Sequence, residues 1–157
     1  MLSSDPLRYR GFIESGVGFG RGDFEYNHTG NSTMITYLST SHGYRFNPHL
    51  YLGVGVEYNY YSSSEGRFML DYLPVFLNLR TNFSNGKISP FLDVKAGYAF
   101  VEPDKGIYVN PIFGVSFSLS TKTAVYVGLG GNLQTYFADS YQSGSVISGI
   151  FRFGVEF

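Results

Sequence analysis

The chain has 157 residues, of which 18% are aromatic, with 20 Gly, 14 Tyr and 15 Phe, a composition that favours β-structure over helix. Only 15% of its residues are charged, yet no uncharged apolar run approaches the roughly 18 residues of a membrane-spanning helix. The net charge of −1, without a run of like charges, offers no footprint for nucleic acid, and the lack of Cys excludes a disulfide framework and a thiolate metal site.

Met1-Leu2-Ser3-Ser4-Asp5 lacks a basic stretch followed by an apolar one, so a secretory signal is expected to have been removed. Eight runs with period-two alternation then follow, each near the roughly 9–11 residues of a membrane β-strand. They span Tyr9 to Gly20, Met34 to Phe46, Leu50 to Tyr60, Met69 to Phe83, Lys87 to Val101, Ile107 to Leu119, Thr123 to Phe137 and Ser145 to Phe157. Their connections alternate in length. Arg21 to Thr33, Tyr61 to Phe68, Glu102 to Gly106 and Ala138 to Gly144 are the longer ones. Asn47-Pro48-His49, Asn85-Gly86 (a two-residue hairpin turn) and Thr121-Lys122 are short. Short turns on one rim and long loops on the other suit a closed membrane barrel. The expected fold is therefore all-β, an eight-stranded antiparallel up-and-down transmembrane β-barrel formed by residues 1–157 as a single domain.

Most strands divide into two faces. Ile13, Val17 and Phe19 oppose Arg10, Glu14, Gly16 and Gly18 in the first. In the third, Leu50, Leu52, Val54, Val56 and Tyr58 oppose Tyr51, Gly53, Gly55, Glu57 and Asn59. In the fourth, Leu73, Val75, Leu77 and Leu79 oppose Pro74, Phe76, Asn78 and Arg80, and in the fifth, Leu92, Val94, Ala96 and Tyr98 oppose Asp93, Lys95 and Gly97. The seventh sets Val125, Val127, Leu129 and Leu133 against Tyr126, Gly128, Gly130, Asn132 and Gln134. The eighth sets Gly149, Phe151, Phe153, Val155 and Phe157 against Ser148, Arg152, Gly154 and Glu156. Neither face of the second strand is cleanly apolar, so a bulge or twisted end is expected there and its faces stay unassigned.

Alternation alone fits either a soluble barrel with an apolar inside or a membrane barrel with an apolar outside. Glycine decides. Ten of the 20 Gly fall on the polar face: Gly16, Gly18, Gly20, Gly53, Gly55, Gly97, Gly114, Gly128, Gly130 and Gly154. Gly weakens a strand unless space is short, and the inside of an eight-stranded barrel is barely wide enough for side chains. The polar face therefore points inward. Its mid-strand charges are Glu14, Glu57, Asp93 and Glu156 against Arg10, Arg80, Lys95 and Arg152, a balance that a closed interior demands because unpaired buried charge is costly. These eight are the expected lumen charge network, plugging the barrel. Asp71, the one charge on the apolar face, is expected at the headgroup level near the loops.

Aromatic residues gather near both rims: Tyr58, Tyr60, Tyr72, Tyr98, Phe100, Tyr136 and Phe137 toward the loops, Phe46, Phe83 and Phe157 toward the turns. The final alternation of Phe151, Phe153, Val155 and Phe157 resembles the C-terminal assembly signal that the barrel assembly machinery reads in outer-membrane proteins, with Phe153, Val155 and Phe157 as its residues.

Three stretches resemble the small OmpA-like, porin-family outer-membrane β-barrel domain: His42 to Pro48 leading into Gly53-Val54-Gly55-Val56, Leu73 to Arg80, and Ser89 to Tyr98. The resemblance covers essentially the whole chain. It implies a monomeric barrel in bacterial outer-membrane lipid and says little about activity. No peptidoglycan-binding domain is expected after Phe157, so the resemblance does not imply the cell-wall-tethering role of full-length OmpA-type proteins.

Signals for catalysis are poor. His28, with Asp23, Glu25 and Ser32 nearby, reads more simply as part of a polar loop. Ser41 and His42 are strand neighbours pointing to opposite faces and cannot form a nucleophile and base pair directly, while His49 sits in a short turn. Three scattered His give no metal-ligand spacing. Gly16-Val17-Gly18-Phe19-Gly20 opens no helix and is not a phosphate loop. The expected chain is a non-enzyme without cofactor or metal, with a structural or narrow porin-like role. The alternatives are loop-mediated adhesion and a soluble lipocalin-like carrier; the carrier would leave a Gly-rich skin in water.

Overall fold

The computed structural model describes residues 8–23, 32–63, 70–100, 105–137 and 143–157. Their strands are β1 (Arg8–Asp23), β2 (Ser32–Asn47), β3 (Leu50–Ser63), β4 (Leu70–Asn82), β5 (Ile88–Phe100), β6 (Lys105–Ser118), β7 (Ala124–Phe137) and β8 (Ser143–Glu156). Each pairs antiparallel with the next, and β8 pairs with β1 through Val17↔Phe151, so the sheet closes into a barrel with no free edge. At the seam Gly11 and Phe157 exchange two backbone hydrogen bonds of 2.9 Å.

Several strands run further toward the long connections than alternation indicated: β1 to Asp23, β3 to Ser63, β6 from Lys105. Backbone ladders continue where the wall has left its apolar belt, and there no lipid imposes a two-residue pattern on the side chains. The turns are built by side-chain acceptors. Asn47 Oδ1 accepts from the backbone N–H groups of His49 (2.8 Å) and Leu50 (2.9 Å), and Ser120 Oγ accepts from those of Lys122 and Thr123. The Asn85-Gly86 connection is longer than the two-residue turn expected. Five residues, 83–87, separate β4 from β5, held by the Ser89 hydroxyl, which donates to the Ser84 carbonyl at 2.7 Å.

The outer wall is apolar: Phe19, Val54, Leu77, Leu129 and Phe153 are all more than half exposed, and Leu52, Val75, Val127 and Phe151 on the same faces are exposed by more than two fifths. Exposure on that scale contradicts a water-soluble barrel, whose apolar side chains would fill the inside. Tyr58, Tyr98, Phe46, Phe83 and Phe157 face outward near the rims. The side chains of Asp71, Tyr72, Phe100, Tyr136 and Phe137 lie outside the described ones.

β2 resolves the ambiguous pattern. Ile35, Tyr37, Ser39 and Ser41 are buried inside, while Met34, Leu38, His42 and Tyr44 face out, and the register slips between Arg45 and Asn47. That irregularity lies at the turn end of the strand, and the mixed pattern before it comes from polar side chains on the outer face. The outward polar groups satisfy one another: the Thr40 hydroxyl donates to the Phe12 carbonyl, His42 Nε2 lies 3.0 Å from Thr40 Oγ1, and the Tyr9 hydroxyl lies 2.5 Å from His42 Nδ1.

The interior is less uniformly polar than its Gly-rich pattern indicated. Phe12, Ile35, Tyr51, Phe91, Ile112, Tyr126, Val146 and Ile150 form a buried cluster among the charges. Glycines make the room. A Cβ on Gly154 would stand 2.5 Å from Tyr126 Cζ and 2.9 Å from the Ile13 carbonyl oxygen. Gly154→Ala should therefore displace the Tyr126 ring and cost about 1–3 kcal/mol in urea unfolding from lipid vesicles. An unchanged midpoint would show that Tyr126 moves freely.

Candidate functional site: the barrel lumen

Inward-facing positions of β1, β3, β5 and β8 bring two carboxylates and two cations to the middle of the lumen. Glu14 and Glu57 flank Ser39 in adjacent register, Glu14↔Ser39 and Ser39↔Glu57, so their charges would repel if left alone. Arg152 bridges them, its Nη1 lying 3.2 Å from Glu14 Oε2 and 2.6 Å from Glu57 Oε2. Lys95 reaches across from the opposite wall to pair with Glu14. The remaining carboxylate lone pairs take hydroxyl donors: Tyr126 to Glu14 (2.6 Å), Ser39 to Glu14 (2.9 Å) and Tyr108 to Glu57 (2.8 Å). All four charged residues are at most 2% exposed. The group is neutral in sum and most of its oxygens are spoken for, the condition under which buried charge is tolerable.

Arg80 and Asp93 form a second group. They face each other across the β4–β5 ladder with Arg80 Nη1 3.9 Å from Asp93 Oδ2. The guanidinium sits among aromatic faces, 3.6 Å from the Phe91 ring centroid, 4.1 Å from Tyr126 and 4.9 Å from Phe12. Ring quadrupoles thus supply part of the stabilisation that hydrogen bonds supply elsewhere. Tyr126 connects the groups, its face toward Arg80 and its hydroxyl on Glu14.

The third group lies at the turn rim. Glu156 Oε1 is 2.5 Å from Arg45 Nη2 and 3.6 Å from Arg10 Nε, and Arg10 also donates to the carbonyls of Lys122 (2.9 Å) and Thr121 (3.1 Å). The eight residues expected in one network thus distribute over three groups. Arg45 joins them as a ninth, hidden from the sequence because the two faces of β2 differ too little in polarity to assign. Tyr108, Tyr126 and Ser39 also went unsingled as partners, since a lone hydroxyl on a strand carries no signal of what it meets across a lumen. Toward the loops, the carboxamides of Asn59, Asn110 and Asn132 are buried in the lumen.

Phe153, Val155 and Phe157 face outward on β8 and just beyond it, with 54%, 40% and 43% exposure. Ser41 points inward and His42 outward. Glu25 and His28 lie outside the described residues, as does the side chain of Asp23. Among the described residues no three His, Asp or Glu side chains gather in a group that could hold a metal.

A closed eight-stranded antiparallel barrel with an apolar outer wall and its polar and chargeable side chains turned inside defines a transmembrane β-barrel. Solved structures share this fold. Neisserial surface protein A superposes with a TM-score of 0.60 at 16% identity, over 93% of this chain and 95% of that one. The outer membrane protein AlkL, solved in DMPC bilayers, gives 0.54 at 16% identity over 100% and 96%. The outer membrane enzyme PagL gives 0.54 at 12% identity over 90% and 97%. No protein-family model and no curated protein matches the chain. The chain has the fold of the small eight-stranded outer-membrane barrels, a wider class than the OmpA-like label, which fits loosely. Because an enzyme and a surface protein share it, the fold alone does not set an activity.

Proposed function

We propose that the chain is an integral, monomeric outer-membrane barrel whose lumen is closed by its paired charges, giving it a structural or narrow porin-like role without enzymatic activity. Outer-membrane lipid is its solvent, and the barrel assembly machinery reads the outward alternation of Phe153, Val155 and Phe157. Closure of β8 on β1 leaves no edge for a second copy to extend, which supports the monomer. The observation that carries the closed lumen is the convergence on Glu14 of Lys95, Arg152, Tyr126 and Ser39 from four other strands, which ties opposite walls together.

Planar bilayers test this reading. The protein should migrate differently on gels before and after boiling, as closed barrels do, and should show little or no steady conductance. Glu14→Gln, which weakens the central tie, should raise the frequency of brief openings. A large steady conductance in the unsubstituted protein would move it to an open-pore class.

A further inference from the structure

At the turn end the lumen widens into a cavity of about 290 Å³, near the lower end of small-molecule sites. Arg8, Arg10, Arg45, Lys122 and Glu156 line it, with hydroxyl and carboxamide side chains such as Ser116 and Asn82 between them. Among the described residues its charge is not balanced. Glu14 and Glu57 offset Lys95 and Arg152, and Asp93 offsets Arg80, but Arg10 and Arg45 share the single carboxylate of Glu156. Lys122 adds a further cation at the rim. The Arg10 terminal nitrogens are engaged on two turn carbonyls and Arg45 Nη2 on Glu156, while the Nε atoms of both arginines are buried without a hydrogen-bond partner. A partly enclosed surplus of positive charge, fringed by neutral donors, is the chemistry that holds an oxyanion.

We propose that this turn-end vestibule binds a small oxyanion, a phosphate or carboxylate carried on a hydroxylated scaffold, held by Arg45 and Lys122, with Glu156 competing for the same guanidinium. Occupancy needs no opening of the central charge group, so the site is independent of whether the lumen conducts. The hydroxyls and carboxamides suit the scaffold and the cations suit the anion, so the neutral scaffold alone lacks the main attraction.

Calorimetric titration of the folded chain in detergent at low ionic strength tests this, with inorganic phosphate, glucose 6-phosphate, gluconate and glucose as probes. At least one of the three anions should bind saturably, and glucose should not. A preference between glucose 6-phosphate and gluconate then identifies whether phosphate or carboxylate is the natural headgroup. Arg45→Gln and Lys122→Gln should each weaken binding by roughly tenfold, the usual worth of a charge-assisted contact. Glu156→Gln should tighten it by removing the internal competitor, a gain that a merely structural role for Glu156 would not produce. The gel-mobility shift on boiling reports folding of each variant, and if Arg45→Gln does not fold, the exposed Lys122 decides alone. Absence of saturable binding by all three anions, equal binding of glucose, or wild-type affinity in the folded cation variants would overturn the proposal.

Discussion

Glu14→Ala should lower the stability of the folded barrel by about 3–5 kcal/mol, measured by urea unfolding from lipid vesicles, because it strips a buried charge group of its shared acceptor. Four side chains converge on this carboxylate: Lys95, Arg152, Tyr126 and Ser39. Arg152 keeps Glu57 at 2.6 Å, but Lys95 has no second ion pair among the described residues and is fully buried. The cost therefore falls mainly on an ammonium stranded away from water. Glu14→Gln keeps the shape and one acceptor oxygen and should lose less. The double variant Glu14→Leu with Lys95→Met should recover much of the loss, since removing both partners of a buried pair is far cheaper than removing one. Glu156→Ala, whose partners Arg10 and Arg45 remain partly exposed at the rim, should cost clearly less than Glu14→Ala. A loss below about 1 kcal/mol for Glu14→Ala, the scale of an exposed pair, would show that the central group does not hold the walls together.

Val54→Arg should destabilise the bilayer-inserted barrel by about 2–4 kcal/mol, whereas Leu119→Arg should cost only about 0–1 kcal/mol. Both side chains point away from the lumen, Val54 at 58% and Leu119 at 67% exposure, so neither substitution disturbs interior packing. What separates them is depth. Val54 lies within β3, flanked by His42 and Leu77 in register, and its replacement would force a guanidinium toward hydrocarbon; Leu119 sits in the turn between β6 and β7, where headgroups and water can solvate the charge. Unfolding titrations of the two variants in identical vesicles make the comparison. Equal costs would mean that the apolar wall does not face lipid at the depth its register indicates.

The eight strands, the faces of six of them and the inward direction of the glycine-rich side were legible in the amino-acid sequence because each rests on local physics. Side chains alternate every residue along a strand, Asn47 and Ser120 punctuate turns, and a narrow lumen has space for glycine where an outer wall has no need of it. The pattern failed at β2, where Thr40, His42 and Tyr9 satisfy one another on the outer wall and blur the contrast between faces, and with it went the lumenal position of Arg45. The buried aromatic and aliphatic side chains among the charges were also only partly visible, since Phe12 and Ile150 share a phase with Glu14 and Arg152 and their neighbours across the lumen are distant in sequence. What only the tertiary structure decided is who meets whom inside. Residue 14 touches residues 95, 126 and 152, and Arg80 turns to aromatic faces and Asp93 instead of joining them. Those meetings depend on the stagger accumulated around all eight strands before β8 closes on β1, a property of the closed ring that no single strand carries.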